Sequence, residues 1–243
     1  MISLDLDLFL REFRAEAEER GFKCETLDET SAGPVLGFTS SCTARPAYLS
    51  AGIHGDEPAG PLAVLRLLRG GCFDGSARAW TICPALNPTG LTAGTRENSD
   101  GKDLNRDYLS LETSEVQAHV RWLKSLPTPE LFISLHEDWE STGFYFYEIN
   151  TGPDLPERAK SILNAAGRWL PSEKAAVIDD HAVRSSGWIY HEAEADFPDH
   201  WPEAIYLAKS GCPLSFTFET PSSADLEKRI LAHMAAVEEI ARA

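Results

Sequence analysis

Apolar residues recur at helical spacing near the start of the chain, at Leu4, Leu8, Phe9 and Phe13, and Gly21 closes the stretch. MISLDLDLFLREF therefore predicts an amphipathic helix. Two β-like runs follow, Lys23–Thr26 and Val35–Thr39. Ala47–Ile53 (AYLSAGI) is almost continuously apolar and stops at His54-Gly55, as a strand buried on both faces of a parallel sheet would. Pro58 opens an apolar-periodic helix, PAGPLAVLRLL, ended by Gly70-Gly71. Trp80–Pro84 predicts a second buried strand, Leu131–Leu135 a third that ends at His136, and Phe144–Ile149 a fourth. Helices are expected over Ser114–Leu126 and Pro156–Leu170, a strand over Ala175–Ile178, a strand over Leu214–Glu219 (LSFTFE), and a closing helix over about 222–241.

Strands that alternate with helices predict an α/β fold, a mainly parallel sheet flanked by helices. No linker or shift in composition interrupts the pattern, so a single domain over residues 1–243 is expected. Two stretches resist assignment. Asn87–Leu109 is long and polar, which is uncommon inside a compact domain unless the loop has work to do. Residues 180–202 are irregular and crowded with His, Trp, Tyr, Asp and Glu.

The 243 residues, 43% apolar, suffice for one sizeable core. The 22 basic and 38 acidic residues leave a net charge of −16, which repels a phosphate backbone and an anionic bilayer alike. Nucleic-acid and membrane partners are therefore not expected. Five cysteines (Cys24, Cys42, Cys72, Cys83, Cys212) form no C-x-x-C pair and read as reduced core thiols. With no secretory-type start and no apolar run of about 18 residues, a cytoplasmic setting is expected.

Functional groups in such sheets collect at the carboxyl ends of strands. Three predicted strand ends carry suitable side chains: His54, His136 and Glu219. In His54-Gly55-Asp56-Glu57 an imidazole and a carboxylate lie three residues apart, with a glycine that lets the turn bend so that both face one point. His54, Glu57 and, 82 residues after His54, His136 make a His₂Glu ligand set that leaves a coordination position open. Such a set suits zinc best. Glu219 ends an otherwise apolar or hydroxylic strand, where a carboxylate is costly unless paired or used. His181, His191 and His200 rank below His136 as ligands because none ends a predicted strand.

GIHGDE, NPTG, TREN, GKDLNRD, SLHE and SFTFET occur in the order and character of the zinc metallocarboxypeptidase family, over residues 47–221. The chain resembles its small bacterial carboxypeptidases and murein-peptide amidases. The resemblance implies a mixed, eight-stranded sheet between helices and one zinc ion held by His54, Glu57 and His136. It implies Glu219 as general base, Arg96 as the group that polarises the scissile carbonyl, and Asn105 with Arg106 as the grip on a substrate carboxylate. Asp103 matches the carboxylate that orients the first zinc histidine. For the tyrosine that closes over substrate, Tyr190 and Tyr206 are candidates and Tyr190 is favoured; Ser185-Ser186-Gly187 matches a segment lining the side-chain pocket.

The activity this implies is hydrolysis of an amide next to a free carboxylate in a small peptide. The rival is an N-acyl-amino-acid deacylase like succinylglutamate desuccinylase or aspartoacylase, which has the same kind of metal site and also binds a carboxylate. A non-catalytic binding module on the same fold should have lost Glu219 or a ligand, and the chain keeps them all. No G-x-S-x-G elbow supports a serine hydrolase.

Overall fold

The computed structural model describes residues 4–41 and 44–241. Its first half comprises helix α1 (Leu6–Glu19), strands β1 (Lys23–Thr30), β2 (Gly33–Thr39) and β3 (Arg45–Ala51), helix α2 (Ala59–Arg69), strand β4 (Arg78–Cys83) and helices α3 (Pro88–Ala93) and α4 (Ser114–Ser125). Strands β5 (Leu131–Asp138) and β6 (Tyr145–Asn150) follow, then helix α5 (Pro156–Ala166) and the short strands β7 (Val177–Ile178), β8 (His181–Ala182) and β9 (Trp188–His191). Helix α6 (Glu203–Lys209), strand β10 (Leu214–Pro221) and helix α7 (Leu226–Ala241) complete the order.

Eight strands form one mixed sheet in the order β1-β2-β4-β3-β5-β10-β6-β9. The centre is parallel, with β4, β3, β5 and β10 running together, while β2 joins β4 and β6 joins β10 antiparallel. Successive side chains on a strand face opposite ways, and the core divides accordingly. Ala47, Leu49, Ala51, Leu131, Ile133, Leu135, Phe216 and Phe218 pack in one cluster with apolar residues of α1, α2, α5 and α7. Tyr48 and Phe132 turn to the other face, where they stack at 5.2 Å and pack with Val116, Val120 and Trp122 of α4 and Leu207 of α6. Gly37 is fixed by that face: a Cβ there would lie 2.5 Å from the Trp122 ring. The expected eight-stranded α/β architecture is thus present, with helices on both faces.

Some boundaries differ from expectation. Leu8 is 45% exposed, whereas Leu6, Leu10 and Phe13 carry the buried stripe of α1. Met1–Ser3 and Cys42 lie outside the described residues. The polar stretch 87–109 contains α3, capped by the Asn87 side chain, and a 3-10 turn at Leu104–Arg106 capped by Asp103. β5 does not stop before His136 but runs on to Asp138, because β10 continues beside it as far as Pro221. The strand expected over Ala175–Ile178 shrinks to Val177–Ile178, which forms a hairpin with His181–Ala182. The stretch expected to be irregular, 180–202, supplies β9, a four-residue edge strand parallel to β6. Among the described residues no helix is long and apolar enough to cross a membrane.

The chain entering β6 is fastened by Glu173. Its carboxylate accepts the backbone N–H groups of Thr142, Gly143, Lys174 and Ala175 at 2.7–2.9 Å and the Thr142 hydroxyl at 3.1 Å. Burial opposes its charge, but these donors prevail and hold its pKa down at about 2. A carboxylate with a depressed pKa stabilises the fold above its unfolded value and loses that contribution as pH falls through the folded one. Glu173→Gln is therefore expected to cost about 1–3 kcal/mol at neutral pH. In urea unfolding midpoints the gap to wild type should narrow as pH falls below about 4.5 towards about 2.

Candidate metal and active site

The turn between β3 and α2 carries His54 and Glu57, both buried. Gly55 between them is required for a reason other than the bend expected from sequence. Its φ is not in the left-handed region, but a Cβ there would lie 1.8 Å from the Gly90 carbonyl carbon, so the turn can touch α3 only through a glycine. The third candidate arrives by strand register. His136 on β5 pairs with Glu219 on β10, and Glu219 pairs on its other side with Tyr145 on β6. Alternation turns all three away from the face covered by α2, α5 and α7.

His54 Nδ1 lies 2.7 Å from Glu57 Oε1, His136 Nδ1 lies 3.0 Å from Glu57 Oε2, and the two imidazole nitrogens are 3.3 Å apart. Zinc–ligand bonds of about 2.0–2.1 Å at tetrahedral angles put ligand atoms about 3.3 Å from one another. The donor set and its spacing therefore fit a small divalent cation with an open position, and His54, Glu57 and His136 form a candidate metal centre. The other nitrogen of His54, Nε2, faces Asp103 Oδ1 at 3.2 Å, which directs Nδ1 inward. Burial lowers the pKa of His136. It opposes ionisation of His54 too, but the Glu57 charge with hydrogen bonds to Asp103 and Glu57 lifts that imidazole to about 9. A bound cation reverses this, since it demands both lone pairs.

The long polar loop wraps the same point. Asp103 accepts Arg96 Nε at 3.0 Å and the Asn105 backbone N–H at 2.9 Å. Arg96 Nη1 reaches to 3.3 Å from His54 Nδ1 and 3.7 Å from Glu57. The Asn105 amide is oriented by the Glu203 N–H, which donates to its Oδ1 at 3.0 Å. Arg106 donates to the Asn105 carbonyl at 3.0 Å and has no carboxylate within 4 Å among the described residues. Arg96, Asn105, Arg106 and Glu219 line a cleft of about 700 Å³ with the three ligand residues. Burial, reinforced by the charges of Glu57, Asp138 and Asp179, raises the pKa of Glu219 well above the usual carboxylate range.

Tyr190 is not in this cleft, and the expectation for it is corrected. On β9, Ile189 and His191 face the cleft side, so Tyr190 points the other way. Its hydroxyl donates to the Asn150 carbonyl at 3.0 Å, and Arg184 lies over its ring at 5.0 Å. The cleft's tyrosines are instead Tyr145 and Tyr147, whose hydroxyls donate to Asp138 at 3.1 Å and Asp179 at 2.6 Å. Period-two spacing in FYFYEIN could have found them, since Tyr145 and Tyr147 must share the face opposite Phe144 and Phe146. Tyr206, the other candidate, packs against Tyr108 at 5.6 Å in the α4–α6 core.

Known proteins place the chain. The model of the succinylglutamate desuccinylase/aspartoacylase catalytic domain matches residues 43–238, most of the chain. The chain belongs to that family. This family member also matches a protein from Shewanella denitrificans, provisionally described as a metallopeptidase, with a TM-score of 0.84 and 27% identity over 97% of this chain and 88% of that one. A similarly described protein from Shewanella amazonensis has a TM-score of 0.84 and 26% identity, covering 97% and 91%. Murein peptide amidase A of Escherichia coli is 31% identical over 90 residues, 37% of this chain and 36% of that protein. Carboxypeptidase SOL1 of Arabidopsis thaliana is 34% identical over 104 residues, 34% of this chain. The chain thus spans only 36% of the length of the amidase and 21% of that of the carboxypeptidase. The resemblance to metallocarboxypeptidases holds within this family assignment.

In this desuccinylase/aspartoacylase-family chain one buried ion pair braces the two segments that carry the candidate ligands. Glu137, next to His136, accepts the Ala59 N–H at the start of α2 at 2.7 Å and pairs with Arg229 of α7. Removing one member of a buried pair leaves a charge without a partner and costs about 3–5 kcal/mol. Arg229→Met is expected to lose stability on that scale in urea unfolding and to weaken divalent-metal binding, measured by calorimetry.

Proposed function

We propose that this protein is a zinc-dependent hydrolase that cleaves an amide bond next to a free carboxylate in a small peptide. The observation that carries the proposal is the convergence, in one cleft, of a buried His₂Glu ligand set, a carboxylate poised to accept a proton, and two arginines. Zinc held by His54, Glu57 and His136 would supply a Lewis acid and lower the pKa of water. Glu219 takes a proton from the attacking water and returns it to the departing amine. A cation held beside it would offset the burial and neighbouring carboxylates that raise its pKa, leaving it ionised to act as a base. Arg106 and the Asn105 amide bind the substrate carboxylate, and Arg96, held at Nε by Asp103, steadies the carbonyl oxygen as negative charge develops on it.

The cleft's remaining charges bear on the substrate. Asp138, Glu140, Asp179, Asp180 and Asp196 line it, so a second anionic group beyond the carboxylate grip is disfavoured and an amine is favoured. That supports a peptide over a succinyl or aspartyl conjugate. The family match supports the second reading, an N-acyl-amino-acid deacylase.

Assays on C-terminal dipeptides, a murein tripeptide and N-acyl amino acids separate the two. Faster turnover of N-acyl aspartate or N-succinyl glutamate than of any peptide would select the deacylase. Glu219→Gln should retain its zinc and lose about 10²–10⁴-fold in kcat. Arg106→Ala should raise KM by about 10–100-fold, the loss of a charge-assisted hydrogen bond, with a smaller effect on kcat.

A further inference from the structure

The wall of the cleft holds another group of ligand-type side chains, apart from His54, Glu57 and His136. His181 stands just after the β7–β8 turn, whose two residues, Asp179 and Asp180, have φ of 46° and 64°. Aspartate tolerates the left-handed region better than most residues, and the Tyr147 hydroxyl holds Asp179 in place at 2.6 Å. His191 ends β9 on the cleft side, and Asp196 comes from the loop beyond it. His181 Nε2 lies 3.4 Å from Asp196 Oδ2, and His191 Nε2 lies 3.4 Å from Asp196 Oδ1. One ligand atom from each of the three falls within 4.8 Å of the others, and the two rings meet at 4.7 Å.

We propose that His181, His191 and Asp196 form a second binding site for a divalent transition metal of the zinc type. The Nε2 atoms of His181 and His191 converge on the two oxygens of one carboxylate, with His191 at the long end of the hydrogen-bond range, so the three donors meet around a shared point. His191 Nδ1 faces the Glu192 carbonyl at 2.5 Å, where it must donate. With Nδ1 donating there, Nε2 beside Asp196 is the nitrogen left to bind a cation, the arrangement that metal-binding histidines use. Two imidazoles and a carboxylate select zinc, cobalt, nickel or copper over calcium and magnesium, which prefer all-oxygen sets. No lysine or arginine pairs with Asp196 among the described residues, and Asp179, Asp180 and Asp138 line the same cleft and add negative potential. Tyr147 packs edge-on against His181 and His191, with ring centroids 5.7 and 6.0 Å away. Bound there, a cation clamps the β7–β8 hairpin, β9 and the following loop into one wall and offsets part of the cleft's negative charge.

The test is zinc titration by calorimetry, with metal content after desalting and the visible spectrum of the Co²⁺-substituted protein. Wild type, Asp196→Asn, His191→Gln and His136→Gln are compared. Asp196 is exposed, so Asp196→Asn preserves the fold, and circular dichroism checks each variant. Two equivalents in wild type are expected. Asp196→Asn and His191→Gln should weaken the second equivalent at least 10-fold and retain the first, and His136→Gln should keep the second. A single equivalent in wild type that His136→Gln abolishes overturns the proposal, as does a second equivalent unchanged in both Asp196→Asn and His191→Gln. Because His136→Gln reports on the His54–Glu57–His136 centre alone, failure of either site is read separately.

Discussion

In a parallel ladder neighbouring strands advance in step, and β5 beside β10 keeps His136 level with Glu219. Side-chain alternation then fixes what faces what. If Phe216 and Phe218 enter the core with Ile133 and Leu135, Thr217, Glu219, Ser134 and His136 must emerge on the opposite face. A one-residue slip would drive Glu219 into the cluster of Phe144, Phe146 and Phe218 and withdraw His136 from Glu57. The same apolar burial that secures the sheet therefore sets the geometry of the site, and the register is costly to change because both faces depend on it.

Around that register, buried charge is managed by pairing. Glu57 stands between two imidazoles, Asp103 between His54 and Arg96, and Glu137 between Arg229 and the start of α2. Behind the site lies a buried hydrogen-bond network. Tyr48 hydrogen-bonds His119 Nε2 at 2.7 Å and Glu203 at 2.9 Å, Ser50 donates to Glu203 at 2.7 Å, and Tyr108 meets His119 Nδ1 at 2.8 Å. Burial pushes Glu203 up to about 7 and His119 down to about 3, disfavouring the charged form of each, while the Ser50 and Tyr48 hydroxyls stabilise the Glu203 carboxylate. This network secures the first turn of α6, whose Glu203 N–H orients Asn105 beside Arg106. Glu219 differs from these groups. It sits among Glu57, Asp138 and Asp179 with no hydrogen bond from the described residues, and its raised proton affinity follows.

Much of this arrangement is legible in one dimension because its causes are local. Ala47–Ile53, Leu131–Leu135 and Leu214–Glu219 are apolar runs that only buried strands explain, and polar groups placed just at or beyond them stand out. The glycine and asparagine signals of residues 87–109 likewise mark a working loop. What stayed hidden depends on pairing at a distance. β9 is four residues long amid acidic sequence, and it becomes a strand only because β6 lends it an edge. Tyr190 reads as a site residue by its neighbourhood in sequence, yet the pleat of β9 turns it away and leaves Tyr145 and Tyr147 to line the cleft.

The sequence by itself determined the α/β class, the positions of the central strands and the pool of residues able to bind a metal, since burial patterns and donor chemistry are properties of short segments. Only the tertiary structure decided which donors meet. It joined His54 and Glu57 to His136 through strand order, required Gly55 through the approach of Gly90, and drew His181, His191 and Asp196 from three segments into one cluster. The physical reason is that side-chain direction alternates along a strand, so function depends on a register that sheet pairing alone sets.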